Sequence, residues 1–375
     1  MHLRIWPIFL MLIACSTGEP TPEELGPVEL PSDSLPHIAL ASEPVVDDTS
    51  LGQPYDIGVE GETLIVVDNA GNPSIHYFST VTRARLTAVG GVGEGPGDFA
   101  ATPRFVSGAA PPGAEWFFDS RLRRVTGFES SRGSGGNQRK TTKAVIRFPE
   151  QSFTRVFWKH PDTLLGITQD QTHGYRIIAV TDSGLNLHSI HNLVIGDPRF
   201  AGYDLINAYQ HAMCASPDGR HVALTYLYAG RIDLLSTETW STVAAKVPFS
   251  FRPPTERNPY TLQLAFRAGG PAVRRSYNGC FATNSRVYAV FVGRRGRYRR
   301  DEIYPPHKFV QVLRWDGTLE AVLRLDHWAE RVAVDPREEW LYASVNDDSL
   351  HAPSVRRTRL DTLRALRRVE SGATN

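Results

Sequence analysis

Polar and charged residues stand at or beside the start of the first β-strand in six similar stretches of the sequence. Arginine recurs among them, and a guanidinium group pairs well with carboxylate and phosphate oxygens. If these strands lie around one axis, their first residues form a pocket for a carboxylate, a phosphate or an acidic glycan. Alternatively, residues that open strands beside a water-filled channel are polar without binding a ligand. The candidate residues are Asp56, Arg104, Arg155, His211, Asn278, Glu330 and Arg331.

A second cationic cluster is the run RRGRYRR at positions 294–300. It follows the second predicted strand of the fifth stretch, which places it on a loop. Such a loop could bind acidic lipid headgroups, polysaccharide or an acidic protein, or it could simply be solvated. The formal net charge of the chain is only +1, so no general attraction to nucleic acid is expected. The candidate residues are Arg294, Arg295, Arg297, Tyr298, Arg299 and Arg300.

Two cysteines occupy matching positions in neighbouring stretches. Cys214 begins the segment CASPDGR, and Cys280 begins CFATNSR. They are either two buried thiols or a disulfide, which requires Cα atoms within about 7 Å of each other. Both alternatives remain open from the sequence.

Recognisable catalytic and metal-binding motifs are absent from the sequence. It contains no G-x-S-x-G or S-x-x-K nucleophile motif, and no H-E-x-x-H or EF-hand motif. The glycine-rich segment at 90–98 lacks the lysine of a P-loop and leads into a strand, so it is interpreted as a turn. We therefore predict no catalytic residue, no cofactor and no metal.

The N-terminus predicts the cellular compartment. Arg4 precedes an apolar stretch, Ile5 to Ile13, that is too short to span a membrane but fits a signal peptide. Leu12-Ile13-Ala14-Cys15 resembles the bacterial lipobox. This resemblance implies that residues 1–14 are a signal peptide and that Cys15 carries the lipid.

The segment from Cys15 to Pro36 is rich in Pro, Glu, Ser and Thr, which is typical of a flexible tether. Ser16 is not an acidic retention signal, and by resemblance to known sorting rules this favours the outer membrane. The sequence therefore predicts a protein of the bacterial cell envelope that is held at the membrane by its lipid.

The rest of the chain, residues 37–375, repeats a pattern of apolar strand, tight turn and apolar strand. The turns contain Pro, Gly, Asp or Asn, which are hairpin signals. Six such units predict an all-β fold, a six-bladed β-propeller, with seven blades as the alternative. Either the segment from His37 to Val46 or the last strands of the chain could close the ring. The units span 55–71, 104–121, 155–170, 211–227, 278–293 and 331–347.

Two segments resemble NHL-type propellers. The loop from Gly90 to Phe99, GGVGEGPGDF, is similar to the linker that joins the outer strand of one blade to the inner strand of the next. The segment from Asp119 to Phe128, DSRLRRVTGF, is similar to the NHL repeat signature, with Leu122 where that family prefers Asn. The turn from Ser216 to Gly219, SPDG, resembles turns of TolB-like and WD-type propellers.

The same resemblance raises the question of a channel metal. Gluconolactonase-like propellers bind a divalent metal in the channel, and Asp56, Asn278 and Glu330 match part of such a ligand set. The surrounding arginines argue against it, so a metal is the alternative to no cofactor.

Three functions remain open from the sequence. The leading hypothesis is a non-enzymatic scaffold in the envelope that binds another envelope protein or a surface ligand. The second is a channel-site lyase or hydrolase, and the third is a sensor of an anionic small ligand or glycan.

Overall fold

The computed structural model describes residues 36–46, 51–132, 138–148, 152–170, 174–181, 188–194, 197, 199–247, 251–257, 264–266, 273–295, 308–345 and 353–363. The predicted lipidation site Cys15 and the tether up to residue 35 lie outside these ranges. So do Arg297, Tyr298, Arg299 and Arg300 of the cationic run. Within the ranges, no helix is long and apolar enough to cross a membrane.

Two short strands precede the first blade: β1 (His37–Leu40) and β2 (Ser42–Val46). Three four-stranded antiparallel blades follow. Blade one contains β3 (Pro54–Glu60), β4 (Thr63–Asp68), β5 (Ile75–Ser79) and β6 (Arg85–Val89). Blade two contains β7 (Arg104–Phe105), β8 (Ala114–Asp119), β9 (Arg124–Arg132) and β10 (Gln138–Arg147). Blade three contains β11 (Phe153–His160), β12 (Thr163–Asp170), β13 (Gly174–Thr181) and β14 (His188–Val194).

The second half of the ring begins after a short helix, α1 (Gly202–Ala208). Blade four contains β15 (His211–Ala215), β16 (His221–Tyr226), β17 (Ile232–Ser236) and β18 (Thr242–Ala244). A small hairpin of β19 (Thr255–Arg257) and β20 (Leu264–Phe266) follows it. Blade five contains β21 (Arg274–Ala282), β22 (Arg286–Arg295), β23 (Phe309–Arg314) and β24 (Leu319–Leu325). Blade six contains β25 (Arg331–Val334), β26 (Trp340–Val345) and β27 (Ser354–Arg359). The prediction of a six-bladed propeller is confirmed.

The N-terminal strands close the ring, which settles the choice that the sequence left open. β2 pairs antiparallel with β27 and so supplies the fourth strand of blade six. The guanidinium of Arg357 donates a 2.7 Å hydrogen bond to Glu43, and that of Arg356 donates a 2.7 Å bond to the hydroxyl of Ser42. β1 pairs in parallel with β24 and extends blade five by one strand. The first and last blades are thereby held together through one stretch of chain.

The first strand of each blade faces the central axis. These strands contact their neighbours around the ring, from β3 to β7 and from β11 through β15, β21 and β25 back to β3. A parallel bridge between Gly108 and Trp158 links blades two and three. The six blades therefore surround one channel.

Second strands such as β4 and β16 are mostly apolar on both faces because neighbouring blades pack against each side. β4 reads TLIVVD, and its last five residues are buried. β16 reads HVALTY and is buried in the same way. A strand covered on both sides does not need polar residues at alternate positions, which explains the continuous apolar runs of the repeats.

Buried aspartates at the ends of second strands fix the linkers between blades. Asp119 accepts hydrogen bonds from the backbone N–H groups of Ala100, at 2.7 Å, and Leu122, at 2.9 Å. Asp68 does the same at blade one, accepting from Gly52 and Gln53 at 2.6 and 2.7 Å. These carboxylates have a structural role.

The glycine-rich loop joins β6 to β7, as the resemblance implied. The buried guanidinium of Arg124 donates hydrogen bonds to the carbonyls of Glu94 and Gly95, at 3.0 and 2.6 Å, and to that of Asp98. Phe99 at the end of the loop packs against Phe117 and Phe128. The loop is therefore a packed linker between blades.

Candidate functional site

The channel residues singled out in the sequence come together at one end of the first strands. Each blade contributes to this end, which we call the arginine end. Its members are Asp56 on β3, Arg104 on β7, Arg155 on β11, His211 on β15, Asn278 on β21, Glu330 and Arg331 at β25, with Tyr55 beside Asp56.

Tyr55 is the point where two of the arginines meet. Arg104 donates a hydrogen bond from Nη2 to the Tyr55 hydroxyl at 2.5 Å, and its Cζ lies 5.0 Å from the ring centre. The Cζ of Arg331 lies 5.6 Å from the same ring. Both distances are within the range of a cation–π contact. Tyr55 therefore joins blades one, two and six around one aromatic ring.

Arg155 completes a group of three guanidinium groups. Burial, followed by the charge of Arg104, lowers the pKa of Arg155 to about 9, so the group stays charged at neutral pH. Burial also lowers the pKa of Arg104, while Tyr55 and Asp56 act in the opposite direction. Arg155 donates a 3.0 Å bond to the carbonyl of Thr154. The three charges are close enough to oppose each other.

The nearby carboxylate of Asp56 is engaged with the backbone. Its Oδ1 accepts from the N–H of Ile57 and its Oδ2 from the N–H of Phe105, each at 3.1 Å. Among the described residues, no carboxylate lies within 4.0 Å of the guanidinium nitrogens of Arg104, Arg155 or Arg331. The arginine end therefore carries excess positive charge.

Asn278 and Glu330 position Arg331 through their backbone carbonyls. Arg331 donates from Nη1 to both carbonyl oxygens at 2.9 Å. The Asn278 amide donates a 3.3 Å bond to the Glu330 carbonyl. Asn278 lies within β21 and not at its start, since that strand begins at Arg274. The two residues hold Arg331 over Tyr55.

His211 lies behind Arg155 in an aromatic cluster. Its ring meets that of Tyr175 edge-on at 4.3 Å and that of Tyr226 at 5.8 Å. Its Nδ1 lies 3.3 Å from the carbonyl oxygen of Tyr209. Burial lowers the pKa of His211 to about 4, so the imidazole is neutral at neutral pH.

A cavity of about 570 Å³ continues from the arginine end along the channel. Asp56 and Arg331 line it at the arginine end. Its lining reaches the turns between first and second strands at the opposite end, which we call the far end. Cys214 and Cys280 lie in the wall between the two ends.

The two cysteines form a disulfide. Their Cα atoms are 5.8 Å apart, within the range that the bond requires. The bond joins β15 of blade four to β21 of blade five. The structure thus selects the disulfide over the two free thiols.

The far end carries carboxylates. Glu60 lies on the rim of the far end. The surrounding chain removes part of its water, and this desolvation together with the charge of Glu115 raises the pKa of Glu60 to about 7. Glu115 pairs with the buried ammonium of Lys140, which lies 4.5 Å from the ring centre of Tyr77. The exposed Arg337 also lines this end, so the channel is cationic at the arginine end and carries charges of both signs at the far end.

The ligand set suggested for a metal is not gathered into a binding group. Both carboxylate oxygens of Asp56 accept backbone hydrogen bonds, and the Asn278 amide is directed to a carbonyl. In the portion of the chain that the structure covers, no three or more His, Cys, Asp or Glu side chains are grouped so as to hold an ion.

The positions of Arg294 and Arg295 differ from the sequence prediction. They were expected on a loop, but they belong to β22, which extends to Arg295. Arg275 pairs with Arg294 and Arg274 with Arg295 across β21 and β22. The reason is that the hairpin of blade five continues beyond its apolar core, so the strand ends inside the cationic run.

Comparisons with known proteins find no match in sequence and only weak similarity among solved structures. No protein-family model matches the sequence, and no curated protein matches it. Among solved structures, the WD40 repeats of RRP9 are 8% identical with a TM-score of 0.46, covering 85% of this chain and 99% of that chain. The calcium-binding protein regucalcin from Agrobacterium tumefaciens is 10% identical with a TM-score of 0.45, covering 86% of this chain and 96% of that one.

A gluconolactonase from Xanthomonas campestris is 11% identical with a TM-score of 0.41, covering 84% of this chain and 88% of that chain. At these identities and TM-scores the similarities carry no argument about activity. The six-bladed architecture rests on the strand topology, and the site rests on its own residues.

Proposed function

We propose that this chain is an envelope-anchored binding propeller that holds an anionic small ligand, through a carboxylate or phosphate group, at the arginine end. The observation that carries the proposal is the convergence of Arg104, Arg155 and Arg331 without a paired carboxylate among the described residues. The proposed function requires no chemical step and no cofactor.

The energetics of the cluster support a ligand. Burying a guanidinium group away from water is costly unless an anion or hydrogen-bond acceptors replace the water. Here three such groups also repel each other, and the Asp56 carboxylate is engaged with backbone N–H groups. An anion offsets both costs, since charge-assisted hydrogen bonds from a guanidinium fork are among the strongest in proteins.

The anchoring part of the proposal rests on Cys15. The lipobox-like segment and the tether would hold the propeller at the envelope, on the outer membrane where the cell has one. There the binding site would meet ligands outside the cytoplasm.

The test is calorimetric titration of the Cys15→Ser form with phosphate and with mono- and dicarboxylates. Arg104→Met and Arg155→Met keep much of the side-chain volume while removing the charge. Each is expected to weaken binding at least about tenfold, because a hydrogen bond to a charged group contributes about 1.5–3 kcal/mol. The matched control is Arg220→Met, an exposed arginine paired with Glu238. The proposal is refuted if the Cys15→Ser form, with its arginines intact, binds none of these anions.

A protein partner is a second candidate, favoured by the strand register in blade five. The register places Arg274 and Arg275 opposite Arg295 and Arg294, so four arginines fall at one end of this hairpin. A cluster of one sign favours a partner of the opposite charge, which here is an acidic envelope protein. Cross-linking and pull-down from the envelope, compared with the Arg294→Ser/Arg295→Ser variant, tests this candidate. A partner captured equally by both forms would contradict it.

A further inference from the structure

The cavity beyond the arginine end has an apolar wall. The larger apolar lining residues that keep part of their surface exposed come from blades two, four and five, and they are Phe105, Met213 and Phe281. Ala109 and Ala110 line the turn after β7 in the same way. Ile57, Val59, Val106, Val332 and Val334 also border the cavity, but they are at most 9% exposed and pack into the cores between blades.

The size of the cavity suits a small molecule with an extended body. Its volume of about 570 Å³ is within the usual range for ligand sites, roughly 300–1,000 Å³. Along β3, the four residue steps from Asp56 to Glu60 span about 13 Å at a rise of about 3.3 Å per residue. This length exceeds that of a bare carboxylate or phosphate ion.

Charge fixes the direction in which an anionic ligand lies. Arg331 lines the cavity at the arginine end, next to Arg104 around the ring of Tyr55. At the far end Glu338 accepts a hydrogen bond from Thr283 and pairs with Arg286. Glu60 and Arg337 are both on the rim, so charges of both signs meet at this end. The arginine end carries the excess of positive charge, and an anionic head is attracted to it.

We infer that the ligand is an anionic amphiphile, with its carboxylate or phosphate head at the arginine end and an unbranched apolar body along the channel wall. This inference rests on the proposed function, because it takes the arginine end as the site of the head. It adds the apolar body, its location and its orientation.

The experiment titrates the Cys15→Ser form with decanoate and decyl phosphate, and in parallel with acetate, methyl phosphate and decanol. The ten-carbon anions are expected to bind at least about 100-fold more tightly than the short ones, because each buried methylene adds to the transfer free energy. Arg331→Met should weaken the ten-carbon anions at least about tenfold, and the control Arg220→Met should not.

Met213→Trp tests the body of the ligand. Met213 is half-buried and lines the channel, so a larger side chain should shorten the space available. It is expected to weaken decanoate at least about tenfold and to leave acetate unchanged. Ala110→Leu, in the turn after β7, is the second variant if Met213→Trp does not fold, as judged by thermal unfolding.

The outcomes separate the two proposals. Chain-length-dependent binding that both variants weaken supports the inference, and the stronger of decanoate and decyl phosphate identifies the head. Equal binding of acetate or methyl phosphate and the ten-carbon anions overturns the inference and leaves the proposed function standing. Decanol binding as tightly as decanoate overturns the inference, because the head would then not be recognised. Absence of binding by any of the anions overturns both.

Discussion

Arg331, at the start of the last blade, lies over the aromatic ring of Tyr55 in the first blade, 5.6 Å from its centre. The residues that bind the proposed anion therefore meet where the ring closes. Arg104 donates a hydrogen bond to the hydroxyl of the same tyrosine. Tyr55 therefore contacts both guanidinium groups and positions them.

Tyr55→Phe tests this positioning. The variant keeps the ring and removes the acceptor of the Arg104 hydrogen bond, so anion affinity should fall about fivefold, the equivalent of about 1 kcal/mol. Calorimetric titration with the tightest anion measures it. Tyr203→Phe, an exposed tyrosine on α1, is the control. Unchanged affinity in Tyr55→Phe would show that the hydroxyl does not orient Arg104.

The disulfide between Cys214 and Cys280 should stabilise the ring. It closes a loop with a sequence separation of 66 residues, and a chain-entropy estimate for such a loop is about 4 kcal/mol. Cys214→Ser/Cys280→Ser should lower the free energy of unfolding by about 2–4 kcal/mol in urea titrations. Adding a reductant should destabilise the parent to a similar extent and leave the double variant unchanged. A parent insensitive to full reduction would contradict the stabilising role.

His211 should make stability depend on pH. Its folded pKa of about 4 is below the unfolded value of about 6.5. Between these values the unfolded state binds more protons, so its contribution is complete above pH 6.5 or so and is lost as pH falls towards 4. The loss in unfolding free energy should reach at most about 3 kcal/mol.

His211→Phe keeps an aromatic ring and removes the titrating group. The unfolding free energy of the parent minus that of the variant, measured by urea titration from pH 4 to 7, should therefore increase with pH. The same series for His37→Gln, at the exposed start of β1, is the control for replacing a histidine on the surface. A constant difference between parent and His211→Phe would contradict the assignment.

The buried ion pair of Glu115 and Lys140 makes a prediction about stability at the far end. Lys140→Met leaves the Glu115 carboxylate without its partner, and the Glu115 side chain is only 12% exposed. The unfolding free energy should fall by about 3 kcal/mol. The double variant Glu115→Gln/Lys140→Met should recover most of this loss, since no buried charge remains. If the double variant is no more stable than Lys140→Met, the cost arises from packing and not from charge.

The sequence was informative where the repeat imposes the structure. The hairpin turns and apolar runs predict six blades, and strand openings predict that Arg104, Arg155 and Arg331 share one end. Tyr55 was missed because alternation in a regular strand puts it on the opposite face from Asp56. The pairing of β3 with β4 is irregular between Pro54 and Asp56, and the sequence does not show this irregularity.

Other features depend on distances between remote segments. Pairing of Cys214 with Cys280 depends on the separation of two inner strands. Ring closure depends on which segment of the chain pairs with β27. Neither is encoded by a local pattern. Helix α1 has seven residues, too few for an amphipathic period to be distinguished from a loop.

Anomalous diffraction from crystals soaked in selenate tests the central claim most directly. The selenium signal locates a bound anion, and the identity of the natural ligand need not be known. The account predicts a selenium peak within hydrogen-bonding distance of Arg104 and Arg155, which disappears in Arg155→Met crystals. Peaks confined to exposed arginines such as Arg220 and Arg337, with none at the arginine end, would contradict it.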